Sequence, residues 1–383
     1  MLMTGSDGGP GASADESVGG LRRSPIHQQH VRSGAKFAPF AGWEMPLEYE
    51  GGGVLAEHAA VRDSVGLFDV SHLGTLDVRG PGAQTFLDTQ LTNDLGRLEP
   101  GAAQYTLICS EDGGVVDDLI AYVSGDSDVR LVPNAANCAT VRDRLRASAP
   151  HGVEVLDRHT STAILAVQGP HSARVLMALA LDPDLAYMRF NQQAFGDTTV
   201  SVCRSGYTGE PGFELIADAD EAAGLWEALM REAANIGGRP AGLGARDTLR
   251  TEMGYPLHGQ DLSLEISPVE AGLGWAIGWD KSEFVGRPAL VAERSAGPQR
   301  RLRGIRLSDP GVPRPGMQVL AAESGREVGV LTSGTFSPTL RIGIGLALCE
   351  PAVGVGDQVL VQARGRQLAG EVVKPPFVET SPR

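Results

Sequence analysis

The sequence predicts an α+β chain that ends in an all-β unit, and three observations support this. Up to about residue 280, apolar stripes of helical period alternate with short strand-like runs. Beyond residue 281 the chain breaks into short strand candidates separated by Gly, Pro and Asp turns. Its 383 residues also exceed what one hydrophobic core normally organises, so two or three domains are expected.

Residues 1–20 are mostly Gly, Ser, Ala, Asp and Glu, too poor in large apolar side chains to offset the entropy of ordering, and are expected to form a disordered tail. They lack the apolar core of a signal peptide, and Asp7, Asp15 and Glu16 are wrong for an organelle transit peptide. Val54, Leu55, Ala59, Val61 and Val65 approximate a helical stripe that Gly66 stops, and a strand over 74–79 follows. A second helix over 82–90 puts Ala83, Phe86 and Leu87 on one face and leaves Asn93 and Asp94 on the loop beyond it. Strands over 105–109 and 115–123 flank Asp112-Gly113, a step that supplies the positive φ a hairpin needs. After a strand over 129–132, Asn134 is placed to cap a helix carrying Cys138, Val141 and Leu145.

Further along, a strand over 163–167 breaks at Gly169-Pro170 before a helix over 171–180, and strands follow over 198–204 and 213–216. The clearest helix spans 218–234: Asp218 with Glu221 reads as a capping box, one face carries Ala222, Leu225, Trp226, Leu229 and Ala233, and Gly237-Gly238 ends it. A further helix runs from near Gly244 to Met253. Strands over 303–307, 317–321, 328–332, 343–349, 359–363 and 368–373 then compose the C-terminal unit, a barrel or a sandwich.

Composition narrows the function. With 33 Lys and Arg against 47 Asp and Glu the formal charge is −14, a sign that repels nucleic-acid backbones and anionic lipid. No apolar run is long enough to span a bilayer. Cys109, Cys138, Cys203 and Cys349 form no CxxC pair, which points to a reducing compartment and a cytoplasmic enzyme with neither disulfide framework nor zinc site. The histidines show no metal-ligand spacing beyond His27 and His30, so no metal is expected. Phosphate-loop, nucleophile-elbow and HExxH motifs are missing, and Gly272-Leu273-Gly274 with Gly278 has the wrong spacing for a dinucleotide fingerprint.

Individual polar residues admit plain readings. Asp94 after Asn93 is a turn residue on its own evidence. In Asp117-Asp118, strand alternation sends one carboxylate to the packed side, where it must find a donor. Glu214 among Phe213, Leu215 and Ile216 poses the same question. Arg246 near a helix start runs against the dipole preference for acids there, which suggests a partner anion or a ligand. Tyr207 and Tyr255 suit core aromatics with one wet end.

Together the runs are more specific. KFAPFAGWEMPLEY (36–49), EHAAVRDSVGLFDVSHLG (57–74), GGVVDDLIAY (113–122), RSGYTGEPGFE (204–214) and AGLGARDTLRTEMGYPLHGQD (241–261) closely resemble the T-protein family of the glycine cleavage system. The likeness continues through 267–270 and 332–338 to 374–378. The resemblance implies three domains around a central folate pocket, the last a β-barrel. The expected division is 21–52 with 140–280 as a folate-binding α+β domain, 53–139 as a second α+β domain carrying the catalytic loop, and 281–383 as the barrel domain. It implies tetrahydrofolate as co-substrate, a lipoylated H-protein as partner, and transfer of an aminomethyl carbon with release of ammonia. By the same resemblance Asp94 is catalytic, Glu214 and Arg246 hold the pterin end, and Tyr207 and Tyr255 line the pocket, with Gly206, Gly209 and Gly212 letting the backbone approach the ligand. A folate-dependent demethylase and a non-catalytic folate-binding relative share that fold; the KGCYxGQE-type signature of the latter is absent.

Overall fold

The computed structural model describes residues 20–380 apart from residue 364, and residue 382. The expected disordered tail lies, except for Gly20, outside the described residues.

Helices and sheets mix through the first 300 residues, and a closed barrel follows. A six-stranded sheet has at its centre Gly66–Asp69, Thr162–Gln168 and Gly212–Asp218, the latter two paired antiparallel with Glu214 opposite Ala166. Alternation along these strands gives the sheet two apolar faces. Val167, Phe213, Leu215 and Ala217 pack under the helices Ser172–Ala178 and Ala222–Ala234. Phe68, Ala166 and Ile216 face the other way, toward Val61 of helix Gly53–Asp63 and Ala245 and Leu249 of helix Leu243–Met253. Glu214, two residues before Ile216, belongs to this second face.

A five-stranded sheet contains Ala102–Cys109, Val115–Gly125, Asp128–Val132, Leu76–Arg79 and Glu154–Asp157, in that spatial order. Helices Ala83–Gln90 and Cys138–Ser148 close its core with Phe86, Leu87, Val141 and Leu145. The last six strands, from Arg301–Leu307 to Arg366–Val373, close on themselves, which decides for a barrel over a sandwich. Its interior is filled by side chains such as Ile305, Val319, Leu331, Val361 and Val372.

Three local expectations are corrected. Asn134 does not cap the following helix, which starts at Cys138; its amide instead donates to the carboxylates of Asp117 and Asp118, each at 2.9 Å. The helix start offers only N–H donors, whereas the two carboxylates are charged acceptors for the amide's own N–H groups, and they hold the side chain. Asp218 and Glu221 form no capping box: Ala219–Glu221 winds as a 3₁₀ turn, and no side chain bonds the helix that begins at Ala222. The stretch after residue 281 is not wholly β, because Arg287–Ala296 is a helix with Pro288 in its first turn, buried only at Leu290. This helix is short and lies between Gly286 and Gly297, so among the Gly and Pro turns around it the segment reads as connector although its apolar and charged residues do segregate at helical spacing.

A charged junction fastens the barrel to the rest. Arg250 bonds Asp261 at 3.0 Å and Ser333 of the barrel at 2.9 Å. Glu252 accepts from Arg62 at 2.7 Å, from Ser337 at 2.5 Å and from Thr339 at 2.9 Å, with His58 at 3.3 Å.

Candidate active site

On the second face of the six-stranded sheet, Tyr207, Tyr255 and Arg246 form one stack. The two tyrosine rings lie 5.6 Å apart at 29°, and the guanidinium of Arg246 sits 4.6 Å from the Tyr207 ring centre. A hydrogen bond from the Tyr207 hydroxyl to Pro256 O, 2.5 Å long, fixes the ring's outer end. Arg246 comes from the first turn of Leu243–Met253, as the sequence indicates, where the helix dipole disfavours a cation. Burial pulls its pKa down, and the charge of nearby Glu214 opposes that. Its Nη1 is buried without any hydrogen-bond partner. Orphaned guanidinium donors are costly, so this one marks a place where an acceptor belongs.

Glu214 is buried, 7% exposed, and takes a 2.6 Å hydrogen bond from Ser205 Oγ. Its strand position follows from alternation: Phe213 and Leu215 enter the core on one side, and Glu214 is turned toward Arg246 on the other.

The three glycines of this turn are crowded by neighbouring side chains. A side chain at Gly206 or Gly212 would run into Gln168, and one at Gly209, whose φ is 84°, into Met253. What presses on them is the protein's own packing, so their immediate cause is structural.

Asp94 stands apart from that cluster, on the loop between Ala83–Gln90 and the 3₁₀ turn Leu95–Arg97. Its carboxylate pairs with Arg97 at 2.6 Å, and its side chain is 21% exposed. Leu91 and Leu95, both fully buried, anchor the loop on either side. Asn93 ties it to the adjacent strand by donating from Nδ2 to Tyr105 O at 2.9 Å.

Tyr105 bridges the two groups. Its hydroxyl donates to Asp118 at 2.9 Å, its ring stacks on Trp275 at 5.4 Å, and its ionisation is opposed first by burial and then by Asp118 and Tyr207. Asp118 likewise acts on Tyr207, whose pKa burial raises above the ordinary tyrosine value. Hydrogen bonds therefore join the Asp94 loop through Asn93 and Tyr105 to Asp118 as one wall, and the charge of Asp118 reaches Tyr207, beside Arg246. Along it Gln104 sends Nε2 to Asp94 O at 3.3 Å, while its buried Oε1 has no partner. Orphan polar atoms of both kinds thus occur here: an acceptor near Asp94 and a donor near Glu214.

Asp117, the other half of the acidic pair, is fully buried and accepts from Asn134 N, Asn134 Nδ2 and Asn137 Nδ2 at 2.6–3.0 Å. Burial and then the neighbouring Asp118 push its pKa up to about 8. Among the described residues no group of three or more His, Cys, Asp or Glu is arranged to hold a metal ion.

The blocks that build this wall are shared with known proteins. Residues 26–281 match the GCVT N-terminal domain, and residues 300–379 match the Glycine cleavage T-protein C-terminal barrel domain. The chain belongs to the glycine cleavage T-protein family. An aminomethyltransferase from Parafrankia sp. is 61% identical over 366 residues, covering 96% of this chain and 100% of that protein. One from Mycobacterium tuberculosis is 54% identical over 365 residues, covering 95% and 98%. The crystal structure of the glycine cleavage system aminomethyltransferase T from Bartonella henselae superposes with a TM-score of 0.88 at 34% identity, covering 94% of this chain and 99% of that one. As a member of this family the chain is an enzyme, an aminomethyltransferase that moves one-carbon groups.

The residues of this wall that sequence reasoning missed are Tyr105, Trp275 and Gln104. Tyr105 reads as one more apolar residue of a strand. Trp275 carries the stronger signal, a large aromatic in the Gly-rich connector Gly272-Leu273-Gly274-Trp275, and it is 67% exposed with its ring on Tyr105.

Proposed function

We propose that this enzyme takes the aminomethyl group carried on the dihydrolipoyl arm of a glycine cleavage H-protein, releases ammonia, and delivers the carbon to tetrahydrofolate as 5,10-methylenetetrahydrofolate. The observation that carries this reading is the orphaned Nη1 of Arg246 beside a tyrosine stack and a buried carboxylate. That set suits a flat heterocycle with donors on one edge and an acceptor next to them.

On this reading Glu214, held by Ser205 through one oxygen, offers the other to the exocyclic amine and ring NH of a pteridine. Arg246 supplies the donor for the adjacent oxygen, and Tyr207 and Tyr255 cover the ring or the aminobenzoyl group beyond it. The pteridine's ring 5-nitrogen supplies the nucleophile that takes up the one-carbon unit. Asp94, set on the same wall, accepts or relays the proton given up there and favours the positive charge that develops as the amine departs. The corresponding division of labour places folate recognition in 21–52 with 140–280, the reactive loop in 53–139 and the barrel in 281–383. A reducing cytoplasm suits the four cysteines, all free and buried.

The test is to mix the purified chain with aminomethylated H-protein and to follow ammonia with and without tetrahydrofolate. Folate-dependent ammonia release is expected. Oxidative or methyl-only turnover of a methylated amine, with no ammonia from the H-protein arm, would assign the chain to the demethylases on this fold instead.

A further inference from the structure

Lys281 is buried, 9% exposed, at the end of the connector that leads into the barrel, and it lies directly beneath the Asp94 loop. Its Nζ donates to Asp88 O at 2.5 Å, Leu91 O at 2.8 Å and Asn93 O at 2.9 Å. An ammonium has three N–H bonds, and all of them end on loop or helix-end carbonyls. Asp88 completes the arrangement: one oxygen stands 3.1 Å from Nζ and also accepts from Leu95 N at 2.7 Å. Asp94 is thus bracketed, with the carbonyl before it bonded to the lysine and the amide after it bonded to the lysine's counter-ion.

We propose that Lys281, with Asp88, is a positioning residue for the transfer reaction, holding the backbone on both sides of Asp94 so that its carboxylate stays at the reacting carbon. The inference rests on the catalytic reading of Asp94 given above.

The physical grounds are independent of that reading. Four carbonyls at a helix C-terminus lack intrahelical partners, and a cation there satisfies them and meets the negative end of the dipole. Exposed lysines do this loosely; one immobilised by three bonds to fixed carbonyls cannot swing away. Burial pulls the ammonium's pKa down, while the charges of Asp88 and Asp94 hold it up. Mutual packing leaves no slack: a side chain at Gly278 would meet Lys281 and come within 3.3 Å of Asp94 Cβ. The connector also grips the loop through its backbone, Gly278 N to Thr92 O at 2.8 Å and Thr92 Oγ1 to Ala276 O at 2.8 Å. The lysine therefore adds to a frame that survives its removal, so its loss should loosen the segment around Asp94 without unfolding the domain.

The experiment uses the full-length enzyme with Lys281→Met, Asp94→Asn and the double variant. It measures kcat and KM for transfer, tetrahydrofolate affinity, and amide hydrogen exchange over residues 91–97. Lys281→Met is expected to lower kcat on the order of tenfold to a hundredfold, the range that a small misplacement of a catalytic group produces. Folate affinity and KM should stay within about twofold while exchange in the loop accelerates, since neither Glu214 nor Arg246 is touched. In the Asp94→Asn background the same change should cost nothing further, because residues acting as a unit are non-additive. An unchanged kcat overturns the proposal, and so does a parallel loss of kcat, affinity and melting temperature that is additive with Asp94→Asn. Should Lys281→Met fail to fold, Asp88→Ala decides: a selective fall in kcat supports the bracket, and a wild-type kcat refutes it. Full activity of Asp94→Asn would instead remove the underlying reading, whatever Lys281 does.

Discussion

The two ends of the candidate site are built on opposite principles. At one end, Glu214 and Arg246 project from a central strand and a helix and are covered by packing, and Arg246 carries a donor the protein itself leaves unmet. At the other, Asp94 sits on a loop, partly open, with its backbone fully bonded and its carboxylate paired with exposed Arg97. The first end has the properties of a recognition device: rigid, desolvated, and unsatisfied until a complementary edge arrives. The second has those of a reactive device, a charge held in place but reachable. On the function proposed above, separating them would let binding energy be collected on groups that do not react, while the carboxylate read as reactive stays accessible to a carbon brought from outside.

This contrast can be broken at either end. The largest effect is expected from Asp94→Asn, which keeps shape and removes the proposed base: transfer should fall by about a hundredfold or more in steady-state kinetics. Glu214→Ala comes next, with tetrahydrofolate binding weakened on the order of a hundredfold by calorimetry, the loss expected for charge-assisted bonds to a buried carboxylate. Arg246→Met, which retains the stem against Tyr207 but deletes the orphan donor, should weaken binding by about tenfold and leave the pH dependence of transfer unaltered. The smallest effect should appear at a position belonging to neither end. Burial alone would raise the pKa of Glu252, but His58, Ser337 and Arg62 bring it down to about 2 from 4.5. A carboxylate depressed in this way stabilises the fold above pH 4.5, and that contribution is lost as pH falls toward 2. Melting curves between these values should show the loss, and Glu252→Gln should flatten it.

Much of this could be seen in the sequence, and the reason differs by element. Helices with one strong apolar face, such as Ala222–Ala234, announce themselves because Leu225, Trp226 and Leu229 recur at helical spacing. Barrel strands show through the turns between them. The edge strands Ala35–Phe40 and Phe190–Phe195 were hidden because their side chains are mostly half-exposed and mixed, so neither period dominates. The helix Arg287–Ala296 was hidden for a different reason: bounded by Gly286 and Gly297 and opening on a proline, it blends into the turn-rich connector around it. Site residues divide in the same way. Arg246 stood out because its charge opposes the dipole at its position, and Asp117-Asp118 because alternation forces one of them inward. Tyr105 and Lys281 gave no such sign: the tyrosine is an ordinary strand residue, and the lysine's role depends on three carbonyls some 190 residues away in the chain. Long-range closure of that kind leaves no local pattern to read.

The separation of recognition from reaction is tested most directly by titrating tetrahydrofolate into the wild-type enzyme, Asp94→Asn and Glu214→Ala under one set of conditions. The account predicts that Asp94→Asn binds as the wild type does and that Glu214→Ala binds far more weakly. Equal loss of affinity in both variants, or none in Glu214→Ala, would contradict it.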